Sequence, residues 1–206
     1  MTPGAPIGTY TAAGTRDAAC TAGWLARTSS GDPVMLTAGH CFSNGVGSQT
    51  LVGLDANAGN YTKVGEADYV VHTDTADVAV VPVAASVSLD ARVLERRPVS
   101  GVVAAATPGD EVCMFGAESG RHCGTVTLID GDSAQVWTKM QSTRGDSGAP
   151  VYKIGRSGTA QPVGILVQGN GDATIVQPIA DVLRERELTL IQTETPAPHI
   201  QPVSHR

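Results

Sequence analysis

Aromatic side chains are scarce in this chain, with two Phe, two Trp and four Tyr among 206 residues. Positive charge is also in deficit. Fourteen Lys and Arg face twenty Asp and Glu, for a formal net charge of −6 and a pI near 5.2. No basic run is present to neutralise phosphates, which argues against a nucleic-acid partner. Long apolar runs are missing too: none approaches the roughly 18 residues needed to span a bilayer. The opening Met1-Thr2-Pro3-Gly4-Ala5-Pro6 has neither the basic nor the long apolar region of a signal peptide. Either the protein is cytosolic or its export signal lies outside this sequence. No Cys-x-x-Cys spacing occurs, which argues against a zinc site.

What is present is glycine (24 residues), a 41% hydrophobic fraction carried mostly by Val and Ala, and only 17% charged residues. That mixture suits many short strands joined by tight turns. The length fits one β-barrel or sandwich domain with a sizeable core. Four cysteines, Cys20, Cys41, Cys113 and Cys123, allow three pairings. Cys113 and Cys123 lie close in sequence with Gly116 and Gly120 between them, suiting a local closure that leaves Cys20 with Cys41. Two disulfides imply an oxidising compartment.

Along the chain, residues 1–18 read as a polar arm. Ala19–Ala26 and Pro33–Ala38 read as strands about the turn Ser29-Ser30-Gly31-Asp32, and residues 43–60 read as loop. Strands are expected at Asp68–His72 and Val78–Val83, then at 124–129 and 134–138 with Asp130-Gly131-Asp132-Ser133 as their turn. A further hairpin is expected from 151–154 and 162–167, and a last strand at 174–177. After Pro178 the period changes: Ile179, Val182 and Leu183 share one face of an amphipathic helix. From Thr193 the chain is a Pro-rich tail. Two runs of short strands and one helix favour an all-β two-barrel or sandwich fold.

The stretch Thr143-Arg144-Gly145-Asp146-Ser147-Gly148-Ala149-Pro150 places a serine among small, turn-forming residues. Serine becomes a good nucleophile when a histidine takes its proton and a carboxylate orients that histidine. Of the five histidines, His199 and His205 lie in the tail, His122 beside Cys123, and His72 at a strand end. His40 follows an apolar strand and precedes a cysteine able to pin its backbone, which suits general-base work. Asp74 and Asp77 are the rival carboxylates. Asp77 is preferred because the β run Val78–Val81 follows it directly.

Thr37-Ala38-Gly39-His40-Cys41, Asp77-Val78-Ala79-Val80 and Gly145-Asp146-Ser147-Gly148, in that order, resemble the chymotrypsin-type serine proteases, most of all their secreted bacterial streptogrisin and α-lytic branch. The loop Cys113–Gly124 and the end Gln177-Pro178-Ile179 are similar to that branch as well. The resemblance covers roughly Cys20 to Ile191. It implies an all-β fold of two six-stranded antiparallel barrels with a C-terminal α-helix. One peptidase domain would span 1–206, with barrels over about 19–90 and 100–178, a helix over 179–191 and a loose tail over 192–206. It further implies a secreted, monomeric serine endopeptidase acting on peptides or proteins, with no cofactor and no catalytic metal. Ser147 would be the nucleophile, His40 the base and Asp77 its orienting carboxylate, with the Gly145 and Ser147 N–H groups as oxyanion hole. A catalytically silent binding module of the same fold is the alternative. An unrelated Ser/His/Asp esterase is disfavoured, because Gly145–Ala149 lacks the Gly-x-Ser-x-Gly elbow and the triad order differs.

The chain departs from the family in three places. The arginine that pairs with the aspartate before the serine is missing near Met114 and Phe115, leaving Arg121, Arg144 or a freed amine at Ile7, for which no cleavage site is marked, as partners for Asp146. Gln141 stands where trypsin-like enzymes carry an aspartate, and Leu166 where glutamate-specific relatives carry a histidine. Val167-Gln168-Gly169 replaces a segment that usually begins with serine, though its backbone can still pair with an extended substrate. With Ser142 and Thr174 completing the pocket, small or medium apolar side chains are the expected substrates.

Overall fold

The computed structural model describes residues 1–193, apart from 12, 56–59, 95, 102 and 170–171. The first half supplies eight strands: β1 (Pro6–Tyr10), β2 (Arg16–Thr21), β3 (Leu25–Arg27), β4 (Pro33–Thr37), β5 (Gln49–Asp55), β6 (Asn60–Glu66), β7 (Tyr69–His72) and β8 (Asp77–Pro82). The second supplies β9 (Glu111–Gly116), β10 (Gly120–Ile129), β11 (Val136–Lys139), β12 (Pro150–Ile154), β13 (Ala160–Gly169) and β14 (Thr174–Pro178). Helix α1 (Ala180–Glu185) and strand β15 (Thr189–Leu190) follow. The second half closes into a six-stranded antiparallel barrel in the order β10-β11-β14-β13-β12-β9. The first half forms two sheets, β2-β1-β5-β6 and β15-β3-β4-β8-β7, rather than one closed ring.

The chain is richer in strand than the reading along its segments predicts. The expected arm at 1–18 contributes β1 and part of β2, so pairing begins at Pro6 rather than near residue 19. Few strong strand-formers mark this stretch, but Ile7 and Thr9 alternate inward and the Thr9 hydroxyl is satisfied by the Cys41 carbonyl. The expected loop at 43–60 contains β5 and the start of β6. The segment between Cys113 and Cys123 is a hairpin with those residues directly opposite. Disulfides join Cys113 to Cys123 and Cys20 to Cys41. The helix is shorter than 179–191. The chain leaves it at Arg186, turns through Glu187 at φ +52°, and buries Leu188 and Leu190 as β15 pairs with β3.

That return clasps the two halves together. Between them, Trp24 is 1% exposed, packs edge-on to Tyr152 with ring centroids 6.4 Å apart, and donates its indole N–H to the Gly164 carbonyl at 2.8 Å. A second apolar cluster, including Met114, Met140, Val151 and Leu166, fills the barrel. The expected tail from 194 onward lies outside the described residues; ahead of it, Thr193 is tied to Val99.

Candidate active site

His40 sits in a single 3₁₀ turn, Gly39–Cys41, directly after β4. The Cys20–Cys41 disulfide anchors that turn to β2. Asp77 opens β8 and is 6% exposed. Its Oδ1 accepts the His40 backbone N–H at 2.8 Å, and its Oδ2 lies 2.6 Å from His40 Nδ1. An ionised carboxylate can only accept, so the proton of this bond lies on Nδ1, and in the neutral imidazole the lone pair is then on Nε2. The Asp77 N–H donates to Gln177 Oε1 on β14 at 3.2 Å, so the second half steadies the carboxylate of the first. The rival Asp74 lines the same open cleft of about 480 Å³ without bonding to His40 among the described residues.

The Thr143–Pro150 loop is fixed at several points. The Ser147 carbonyl accepts the Thr21 N–H at 2.7 Å, and the Gly148 N–H donates to the Leu166 carbonyl at 2.7 Å. The Thr21 hydroxyl donates to the Gly145 carbonyl at 2.8 Å and accepts the Ala117 N–H at 3.0 Å. Gly145 has φ +98°, a conformation that side-chain-bearing residues rarely adopt, and a Cβ there would also strike the Glu118 side chain. Among the described residues, the N–H groups of Gly145 and Ser147 donate to nothing. The Ser147 hydroxyl likewise has no hydrogen-bond partner, His40 included.

Asp146 is fully buried, and its partner is not an arginine. Its Oδ1 accepts the backbone N–H groups of Glu118 and Ser119, each at 3.1 Å, and its Oδ2 accepts that of Thr143 at 2.8 Å. Three backbone donors can satisfy a buried carboxylate without a countercharge. The cradle depends on Gly116, where a Cβ would lie 2.1 Å from Asp146 Oδ1. Arg121 points a guanidinium nitrogen at Cys113 Sγ, 3.7 Å away, and Arg144 is exposed. The signal in the sequence was the Gly116–Gly120 turn, whose backbone replaces the missing cation.

The residues expected to hold substrate fall into two groups. Val167 and Gln168 line the cleft beside His40. Gln141, Ser142, Gly169 and Thr174 cluster elsewhere. The buried Thr174 hydroxyl bonds the Met140 carbonyl and Ser142 Oγ, and Gly169 lies against Ser142. Gln141 Nε2 donates to Asp172 Oδ1 at 3.1 Å, and with Ser119, His122 and Thr143 they border an open space of about 230 Å³. Asp172 and His72 were not foreseen. In the β7–β8 pairing His72 stands opposite Asp77, with Nδ1 3.6 Å from Asp77 Oδ1 and its ring 5.8 Å from that of His40. The four residues between them set that register, which is where the sequence held the clue.

Thermobifida fusca protease A superposes on 94% of this chain and all of its own, with a TM-score of 0.70 at 21% identity. The fold is that of the bacterial chymotrypsin-type serine proteases. The Cellulomonas bogoriensis chymotrypsin likewise covers 94% of this chain and all of its own, with a TM-score of 0.67 at 25% identity. No protein-family model matches the chain. An uncharacterized protein of Mycobacterium tuberculosis, Rv1815, is 33% identical over 161 residues, which is 71% of this chain. The chain covers 66% of the length of the curated relatives it matches.

Proposed function

We propose that this chymotrypsin-fold chain is an extracytoplasmic serine endopeptidase. The reading rests above all on the imidazole of His40, oriented by Asp77 through both its ring and its backbone. In this reading the extended substrate pairs with Val167–Gly169 as an added strand. Ser147 Oγ attacks the scissile carbonyl carbon while His40 Nε2 takes its proton. The tetrahedral oxyanion accepts the two uncommitted N–H groups of Gly145 and Ser147, each worth about 2.7–4 kcal/mol to the transition state. As the C–N bond breaks, the imidazolium returns the proton to the leaving amine nitrogen. Water then repeats the sequence on the acyl ester, giving the free acid and restoring the serine hydroxyl. Asp77 holds the tautomer and stabilises the imidazolium throughout.

The preferred primary side chain is small or medium and apolar. Gln141 is neutral and committed to Asp172, and Leu166 is buried in the barrel. The two disulfides support an oxidising compartment. Hydrolysis of an unfolded protein substrate by the wild type, by Ser147→Ala and by His40→Ala tests this. A loss of at least about 10³-fold in each variant is expected. Equal rates in all three would place the activity elsewhere, and no turnover in the wild type would favour the silent binding module. The unpartnered Ser147 hydroxyl, and Val167 in place of the family's usual serine, stand on that module's side.

A further inference from the structure

We propose that His72, Asp77 and His40 bind a late first-row divalent metal ion, Zn²⁺ above all, and that the bound ion switches the site off. The effect on turnover rests on the endopeptidase reading; the binding itself does not. One ligand atom from each of the three residues lies within 4.8 Å of the other two. Two imidazoles and a carboxylate form the mixed N/O donor set that Zn²⁺ favours and that Mg²⁺ and Ca²⁺ do not. The edge from His72 Nδ1 to Asp77 Oδ1 measures 3.6 Å. Ligand atoms about 2.0–2.2 Å from a tetrahedral Zn²⁺ stand about 3.3–3.6 Å apart, so this edge is already near its bound length.

His72 is also unspent. Its side chain is 62% exposed, and beyond the Asp77 and His40 contacts it has no partner among the described residues. Asp74, on the wall of the same cleft, adds negative charge that attracts a cation, and the opening leaves room for water as a fourth ligand.

The pair formed by His40 Nδ1 and Asp77 Oδ2 behaves differently. At 2.6 Å it is too short to be an edge of the same coordination tetrahedron. His40 can join the ion through Nε2, with Nδ1–H still bonded to Asp77, or through Nδ1 after giving up that hydrogen bond. In the first case the metal takes the lone pair that a general base needs, and in the second the imidazole loses its orientation.

The test is titration of the full chain with ZnCl₂ by isothermal calorimetry, for the wild type, His72→Ala and His72→Gln. Hydrolysis is assayed alongside, with each rate referred to the same protein's metal-free rate. His122, His199 and His205 stay in every variant, so their binding cancels. One Zn²⁺ equivalent that weakens at least about tenfold in both variants, with inhibition reversed by a chelator and lost with His72, is expected. Identical isotherms in the three proteins, or equal inhibition of them, overturn the site. His72-dependent binding to a wild type that hydrolyses nothing would keep the site and overturn the endopeptidase reading.

Discussion

Two buried aspartates, 69 residues apart in this sequence, are held in opposite ways. Asp77 faces mainly side chains: one imidazole on Oδ2, a second near Oδ1 beside the one backbone N–H it accepts, that of His40, and an open cleft beyond. Asp146 faces backbone alone, with three N–H groups closed around it and no side-chain donor among the described residues. The first environment can change with protonation or with a bound ion, because imidazoles gain, lose and exchange partners. The second cannot, because amide groups do not titrate. A carboxylate that must respond to chemistry is set among side chains; one that must keep a loop in shape is set in amides.

Breaking each environment in turn should separate the two roles. Asp77→Asn leaves the shape of the site but removes the carboxylate that fixes the His40 tautomer. The expected result is a loss of turnover of about 10⁴-fold with little change in thermal stability. A variant within tenfold of the wild type would show that Asp77 does not orient the base. Asp146→Asn puts an amide donor against one of three backbone donors in a site without water access. It should cost about 1–3 kcal/mol of stability, measured by denaturant unfolding, and lower turnover through the Gly145–Ser147 loop. Gly116→Ala should act in the same direction, at about 1–3 kcal/mol, because its methyl group would collide with Asp146. Unchanged stability in both variants would contradict the cradle.

Smaller effects sharpen the contrast at the surface. Asp172→Asn removes the one carboxylate beside Gln141 among the described residues. With an apolar primary preference, the ranking of a peptide library should not change. A library cut best after Arg or Lys, and losing that preference in the variant, would assign the pocket to Asp172. Asp110 is a third kind of carboxylate, at the β9–β12 seam. The Lys153 ammonium, 2.6 Å away, and the Thr107 hydroxyl and N–H hold its pKa down, from 3.8 to about 2. A depressed folded-state pKa adds stability that is present above 3.8 and lost as pH falls toward 2. Melting temperatures should therefore fall less steeply between pH 4 and 2 in Lys153→Met than in the wild type. The difference will be modest because the pair is solvated.

The same contrast explains what could be read from the sequence. His40, Asp77 and Ser147 stand in short strings whose neighbours are local: an apolar strand, a β run, a pair of glycines. The barrel strands from 124 to 177 carry alternation strong enough to see. The Asp146 cradle was hidden because its donors are backbone groups at 118, 119 and 143, which carry no residue-type signature. Only Gly116 hints at them. His72 was hidden because its place opposite Asp77 is a matter of hairpin register. The strands β1 and β5 were missed because Gly, Thr and Gln weaken the pattern, while pairing with neighbours and burial of Ile7 and Thr9 hold them.

The central claim, that His40, Asp77 and Ser147 with the two free N–H groups make an assembled acyl-transfer site, is tested most directly by a fluorophosphonate probe. The wild type and Ser147→Ala would each be incubated with the probe, digested and mapped by mass spectrometry. The account predicts one phosphonyl adduct, on Ser147, absent from the variant. A folded wild type that takes up no probe, or an adduct that persists in Ser147→Ala, would contradict it.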